Sequence, residues 1–157
     1  NENNGADSAI SQLAGGLSWK AIKGDDGTLI TPNGSGTTPG SVKMDWIASK
    51  LTYSTTITDA APGQHSCAFG SIVCDATVGD NAKLLLQSLG MLPYNVDSLC
   101  KTHVCYFDNK EAERSFNCGA NYGNTSNGLA TFNGNNSRTN TNANLGFRSA
   151  LPPSQIL

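Results

Sequence analysis

The stretch that decides the reading runs Glu113-Arg114-Ser115-Phe116-Asn117-Cys118-Gly119-Ala120-Asn121-Tyr122-Gly123-Asn124-Thr125-Ser126-Asn127-Gly128-Leu129 and closes with Asn135-Asn136-Ser137-Arg138-Thr139-Asn140-Thr141-Asn142-Ala143-Asn144-Leu145-Gly146-Phe147-Arg148-Ser149-Ala150-Leu151. After Glu113 it holds no carboxylate: residues 114–157 carry three arginines and no acid, whereas residues 1–113 carry seven lysines against twelve acids, a formal charge of −5. Ten of the chain's seventeen asparagines fall between Asn117 and Asn144. Carboxylate pairs, aspartate-oriented histidines and calcium cages all need Asp or Glu, so none can be built from this segment alone. Its composition admits two descriptions. One is a disordered polar tail. The other is a folded, loop-rich surface, since Asn tolerates left-handed backbone geometry and bonds its own backbone in turns. Tyr122, Leu129, Phe132, Leu145, Phe147 and Leu151 are apolar groups that a disordered tail does not need, and they favour the second. On that description Asn127-Gly128 and Asn133-Gly134 mark tight turns.

Working outward, the whole chain has 157 residues, 14% of them charged, and a net charge of −2. That length suits a single domain over 1–157, with residues 1–40 as an N-terminal extension or the start of a small subdomain as the alternative. A charge balance this close to neutral supplies no footprint for a phosphate backbone, so nucleic acid is not an expected partner. Apolar runs such as Leu84 to Leu86 are only a few residues long, too short for membrane insertion or for the apolar core of a signal peptide.

The five cysteines, Cys67, Cys74, Cys100, Cys105 and Cys118, include no CxxC pair, which argues against zinc and thioredoxin-type chemistry. Disulfides fit better: Cys67 with Cys74 and Cys100 with Cys105 would each close a short loop, although spacing leaves the connectivity open. Disulfides in turn favour a location outside the cytoplasm. A Cys/His enzyme would have to draw on His65 or His103, the two histidines of the chain. A lone Cys118 is more commonly a buried thiol than a nucleophile. No metal and no cofactor are expected, and no catalytic residues are assigned.

Upstream, Asp7 caps a short helix through Ile10 and Leu13 that ends at Gly15-Gly16. Leu17 to Lys23 and Thr28 to Thr31 read as strands joined by a turn at Gly24 to Gly27, followed by a loop over Asn33 to Gly40. Val42, Trp46, Ile47 and Leu51 follow helical or broken helical spacing, and Thr52 to Thr58 alternates like a strand. A helix begins at Asp80 or Asn81, presents Leu84, Leu85, Leu86 and Leu89 as an apolar face, and stops at Gly90. His103 to Phe107 is a compact strand. Trp19 and Trp46 read as core anchors. Short helices and strands followed by a long turn-rich β region give an α+β fold class.

The two quoted runs resemble the C-terminal half of C-type-lectin-like domains related to the formylglycine-generating enzyme, and within that group the variable proteins of diversity-generating retroelements. The closing heptad Asn144-Leu145-Gly146-Phe147-Arg148-Ser149-Ala150 carries most of the likeness, which covers about residues 113–151. The resemblance implies a C-type-lectin-like fold of short helices, a small mixed or antiparallel sheet and much irregular loop. It implies that Phe147 and Arg148 are scaffold. It also implies a diversified, ligand-contacting surface at Asn117, Ala120, Asn121, Tyr122, Asn124, Thr125, Ser126, Asn127, Thr131 and Asn133, with Cys118 and Gly119 at scaffold positions. Tyr122 stands out among them, because Tyr gives large contact area at small entropic cost.

This chain departs from those relatives in three ways. It has no Trp after the glycine pair, it lacks the Arg-Leu-Pro-Thr-Glu helix motif, and it has only Cys118 where the enzymes carry a cysteine pair, so oxidase chemistry is disfavoured. The expected function is therefore non-enzymatic. It is a display protein for a protein or cell-surface receptor of variable identity, acting as a phage receptor-binding tip or microbial adhesin at an extracellular, cell or virion surface. Oligomerisation is compatible with that role. The alternative is a structural subunit of a surface fibre or pilus.

Overall fold

The structure, a computed structural model, describes residues 20–31, 38–95, 100–110, 115–118 and 130–136. It is α+β. The expected helix after Asp7, Trp19 and the expected scaffold residues Phe147 and Arg148 lie outside the described residues. Strands β1 (Ala21–Ile22) and β2 (Leu29–Ile30) form an antiparallel hairpin around Gly24 to Gly27, as the turn residues led one to expect. The hairpin is tied to the rest of the chain by backbone bonds from Val42 N to Ile22 O (2.8 Å) and from Gly79 N to Gly24 O (2.7 Å).

Strands β3 (Lys43–Ile47) and β4 (Lys50–Ser54) form a second hairpin where the spacing of Val42, Trp46, Ile47 and Leu51 had suggested a helix. The two-residue turn corrects that expectation. Ala48 (φ 50°) and Ser49 (φ 60°) both take the left-handed conformation that tight hairpins require. Met44, Leu51 and Tyr53 point into the core, each at 1% exposure or less. Asp45, also fully buried, is satisfied where it lies: its carboxylate accepts from Trp46 N (2.8 Å), Thr58 N (2.8 Å), Thr58 Oγ1 (2.7 Å) and Asp59 N (3.0 Å).

Strand β5 (Gln64–Ala68) leads through a 3-10 turn at Phe69–Ser71 to β6 (Val73–Cys74), which pairs in parallel with β4 and completes a three-stranded sheet. Helix α1 (Asp80–Ser88) follows. Its N-cap is Gly79 rather than a side-chain acceptor, because the β1–β2 turn lies against it: a Cβ at Gly79 would meet Asp25 O at 2.0 Å. Gly90, at φ +69°, ends the helix as expected.

The buried face of α1 is Ala82 and Leu86, one turn apart, and not the leucine cluster as a whole. Leu84 is two residues from each of them, on the opposite side of the helix, and is 55% exposed; Leu89, past the last turn, is 50% exposed.

A four-stranded sheet, in the order β5-β7-β9-β8, adds β7 (Val104–Asp108), β8 (Ser115–Cys118) and β9 (Phe132–Asn136). Strand β9 runs between β7, to which it is parallel, and β8, to which it is antiparallel. Asn133-Gly134, expected as a tight turn, is therefore the middle of an interior strand. Gly134 is buried as the register partner of Phe107, and a glycine in a strand interior commonly marks such a close approach. One cluster unites the sheets and the helix: Val42, Met44, Leu51, Tyr53, Ala82, Leu86, Phe107 and Phe132 are all within it.

Candidate functional site

The residues expected to contact a ligand divide by where they fall. Ala120, Asn121, Tyr122, Asn124, Thr125, Ser126 and Asn127 lie outside the described residues. Asn117, Thr131 and Asn133 lie at the two ends of that segment, and the sheet brings these ends together. In the β8–β9 ladder Cys118 pairs with Phe132 and Asn117 pairs with Asn133. The strand alternates: Phe132 and Gly134 are buried, while Asn133 and Asn135 are half-buried. That is the period-two pattern of a strand with one face on the core. Asn133 also braces its own strand, its Oδ1 accepting from Asn135 N at 3.0 Å. Thr131 is buried at 3% exposure, beside the anchor Phe132.

The same alternation continues across the sheet. Tyr106 of β7 is register partner to both Asn133 and Ser66, and all three occupy the less buried side of their strands, while Phe107 and Cys105 are fully buried on the core side. The row therefore presents hydroxyl and amide groups and no formal charge.

Next to the chain entering β9 lies a groove of about 290 Å³ lined in part by Phe69, Gln87, Leu92, Pro93, Tyr94 and Ala130. The C-terminal end of α1 shapes one wall: Tyr53 donates its hydroxyl to Met91 O (3.1 Å), and Gln87 donates its amide to Pro93 O (3.4 Å). Tyr94 at its rim is 82% exposed. Sequence reading missed this groove, because its walls come from four separated segments and none carries a motif. On the other side of Ala130, its backbone N–H donates to His103 Nδ1 at 3.3 Å, so that histidine supports the segment leading into β9.

The second histidine is engaged elsewhere. His65 Nε2 is 2.9 Å from Asp59 Oδ2, and its ring stacks on Trp46 with centroids 4.7 Å apart and planes 14° apart. Asn109 Nδ2 donates to the same Asp59 oxygen (2.9 Å), Ala61 N donates to Oδ1 (3.0 Å), and Gly63 N donates to Asn109 Oδ1 (2.7 Å). The Asn109 amide, then the Ala61 N–H and His65, hold the Asp59 carboxyl below the usual carboxylate range against the opposing effect of desolvation. With the Nε2 and one face of the imidazole both occupied, this cluster is a brace between β3, β5 and the loop after β7. Trp46 is thus a half-buried packing residue, as expected of an anchor.

Among the described residues no disulfide joins Cys67 to Cys74 or Cys100 to Cys105. Cys67 and Cys74 belong to different sheets. Burial pushes the Cys74 thiol up to about 11, so it is protonated at neutral pH. No group of three or more His, Cys, Asp or Glu side chains gathers to hold a metal ion among the described residues.

No protein-family model matches this chain, and no curated protein does.

Proposed function

We propose that this chain is a C-type-lectin-like display domain whose asparagine-rich C-terminal segment, carried between β8 and β9, contacts a protein or cell-surface receptor of variable identity. One observation carries the reading. The two ends of the segment, Asn117-Cys118 and Phe132-Asn133, are paired in register on a sheet anchored by fully buried Phe107 and Phe132. A contact surface that must accept many side chains needs a scaffold that does not depend on them, and binding residues held on loops by a rigid framework meet that need. In this reading Asn117, Ala120, Asn121, Tyr122, Asn124, Thr125, Ser126, Asn127 and Asn133 form the contact set. Thr131, covered as it is, sets the entry into β9.

The chemistry of the surface fits recognition without catalysis. Hydroxyl and amide side chains offer both donors and acceptors, and Tyr122 adds an aromatic anchor of the kind that dominates interface energetics. With no acid after Glu113, the segment supplies no carboxylate for a calcium-bridged sugar. Display at an extracellular, cell or virion surface follows from the role.

The test is to sequence the DNA flanking the coding region in the source genome. The expected result is a near-copy of the segment encoding residues 113–151 beside a reverse-transcriptase gene, differing from it at adenines, with the mismatched codons naming the contact residues. Absence of both copy and reverse transcriptase would overturn the diversified surface and leave the fibre-subunit reading in its place.

A further inference from the structure

The register of β5 against β7 puts two cysteines directly opposite each other: Cys67 is the partner of Cys105. Cross-strand partners share a face of the sheet. The neighbouring row shows that side chains on this face do meet, since the rings of partners His65 and Phe107 have centroids 5.5 Å apart. Cys67 itself packs against the core cluster that contains Cys105. Cys105 is fully buried and its Sγ lies 3.6 Å from Ala130 O, whereas Cys67 is half-buried and is the thiol of the pair that a reagent can reach.

The hydrogen-bond pattern fixes what kind of pair this is. Antiparallel ladders alternate hydrogen-bonded and non-hydrogen-bonded pairs. Asn109 N donates to Gly63 O (3.1 Å) and Phe69 N donates to His103 O (2.7 Å), so the pairs Gly63/Asn109 and Phe69/His103 at the two ends of this ladder are of the hydrogen-bonded kind. Counting inward by twos, Cys67/Cys105 is of that kind too. Its expected Cα separation is about 5.5 Å, inside the range that a disulfide spans, but Cβ atoms at such a pair sit wider apart than the about 3.8 Å typical of disulfides. The strands must therefore draw together to close the bond, and strain of that sort makes a disulfide easier to reduce.

We propose that Cys67 and Cys105 are a reversible oxidation site, forming a cross-strand disulfide when the protein meets a small-molecule disulfide such as oxidised glutathione. The Cys67 thiolate attacks the oxidant, giving a mixed disulfide and one glutathione thiol. Cys105 then displaces the second glutathione, so the two protein thiols lose two electrons and two protons, and one glutathione disulfide becomes two thiols. Closure turns the Cys105 sulfur away from the Ala130 carbonyl, a group on the chain that enters β9 and borders the groove. Oxidation thus reaches the chain that enters β9. The proposal does not depend on the display reading.

The test is peptide mapping of the intact protein after incubation with oxidised glutathione, alkylation and trypsin digestion without reductant. Cleavage after Lys50, Lys83, Lys101, Lys110 and Arg114 places Cys67 and Cys74 in peptide 51–83, Cys100 in 84–101, Cys105 in 102–110 and Cys118 in 115–138. The expected product is 51–83 joined to 102–110, preserved in Cys74→Ser and reopened by millimolar dithiothreitol without denaturant. Cys105 joined to 84–101 or 115–138, loss of the joined product in Cys74→Ser, a stable glutathione adduct on Cys67, or Cys67 and Cys105 both still alkylated after oxidation would each overturn it.

Discussion

Asp45 is the residue on which the β3–β4 hairpin and the following loop depend together. It is a fully buried carboxylate taking four hydrogen bonds, three of them from Thr58 and Asp59 in a segment that lacks strand or helix. Buried charges persist where their oxygens are fully bonded, and removing the acceptor leaves donors with no partner. Asp45→Ala is expected to cost about 3 kcal/mol. For a chain of this size that is a fall in Tm of about 6–12 °C, measurable by thermal unfolding followed by circular dichroism. Asp45→Asn, which keeps two acceptor lone pairs on one side only, should lie between the two. Lys43 is a comparable case: its buried ammonium donates to the carbonyls of Thr38 (3.1 Å), Ser41 (3.0 Å) and Thr55 (3.2 Å). Neither role could be read from the sequence, because the partners of Asp45 lie thirteen and fourteen positions away and the sequence carries no mark of which carboxylate will be buried.

At the scale of elements, the turn between β3 and β4 stands out. Two non-glycine residues, Ala48 and Ser49, both hold positive φ. The left-handed conformation costs an ordinary residue about 1–2 kcal/mol, and Asn-Gly is the pair that the same turn prefers. The double substitution Ala48→Asn, Ser49→Gly is expected to stabilise the protein by about 1 kcal/mol, seen as a higher urea midpoint at unchanged slope. The same turn explains why this hairpin was not legible in the sequence. Without Gly or Asn at its centre, Val42 to Leu51 reads as one continuous periodic segment.

Asn133-Gly134 is the converse case, a dipeptide that signals a turn but sits inside a strand because β7 and β8 flank it on both sides. Helix α1 and the β1–β2 hairpin were legible, since Asp80, Gly90 and the Gly24 to Gly27 turn are local signals that tertiary contacts did not override. Of the candidate contact set, the described residues show Asn117, Thr131 and Asn133, and sequence alone gave no sign that Asn117 and Asn133 would be partners in a ladder.

For the whole molecule, the uneven charge governs behaviour in acid. The Thr28 amide and hydroxyl lower the Asp26 carboxyl from 3.8 to about 2, and the Asn109 amide and Ala61 N–H lower that of Asp59. A carboxyl held below its unfolded value contributes stability that is complete above that unfolded value and disappears as pH falls toward the folded one. The urea midpoint is therefore expected to be flat near neutrality and to fall between about pH 4 and about pH 2. Asp26→Asn should shallow that fall modestly, because the group is exposed and screened. Protonation also leaves the ten Lys and Arg and two His unopposed by acids, and their mutual repulsion steepens the loss. A fall that begins well above the ordinary carboxylate range would contradict this account.

The interior position of β9 bears on how the chain is made. A ribosome delivers β5, β7 and β8 first, yet β8 cannot join the sheet until β9, the strand that lies between it and β7, has emerged. Until residues 132–136 leave the exit tunnel, the edge of β7 bearing Val104 and Tyr106 stays open, a template for unwanted pairing with another nascent chain. Late closure of the sheet makes the stretch encoding β8 and β9 a determinant of yield, and variants there would be sorted by the cell's folding machinery before they are put to any use.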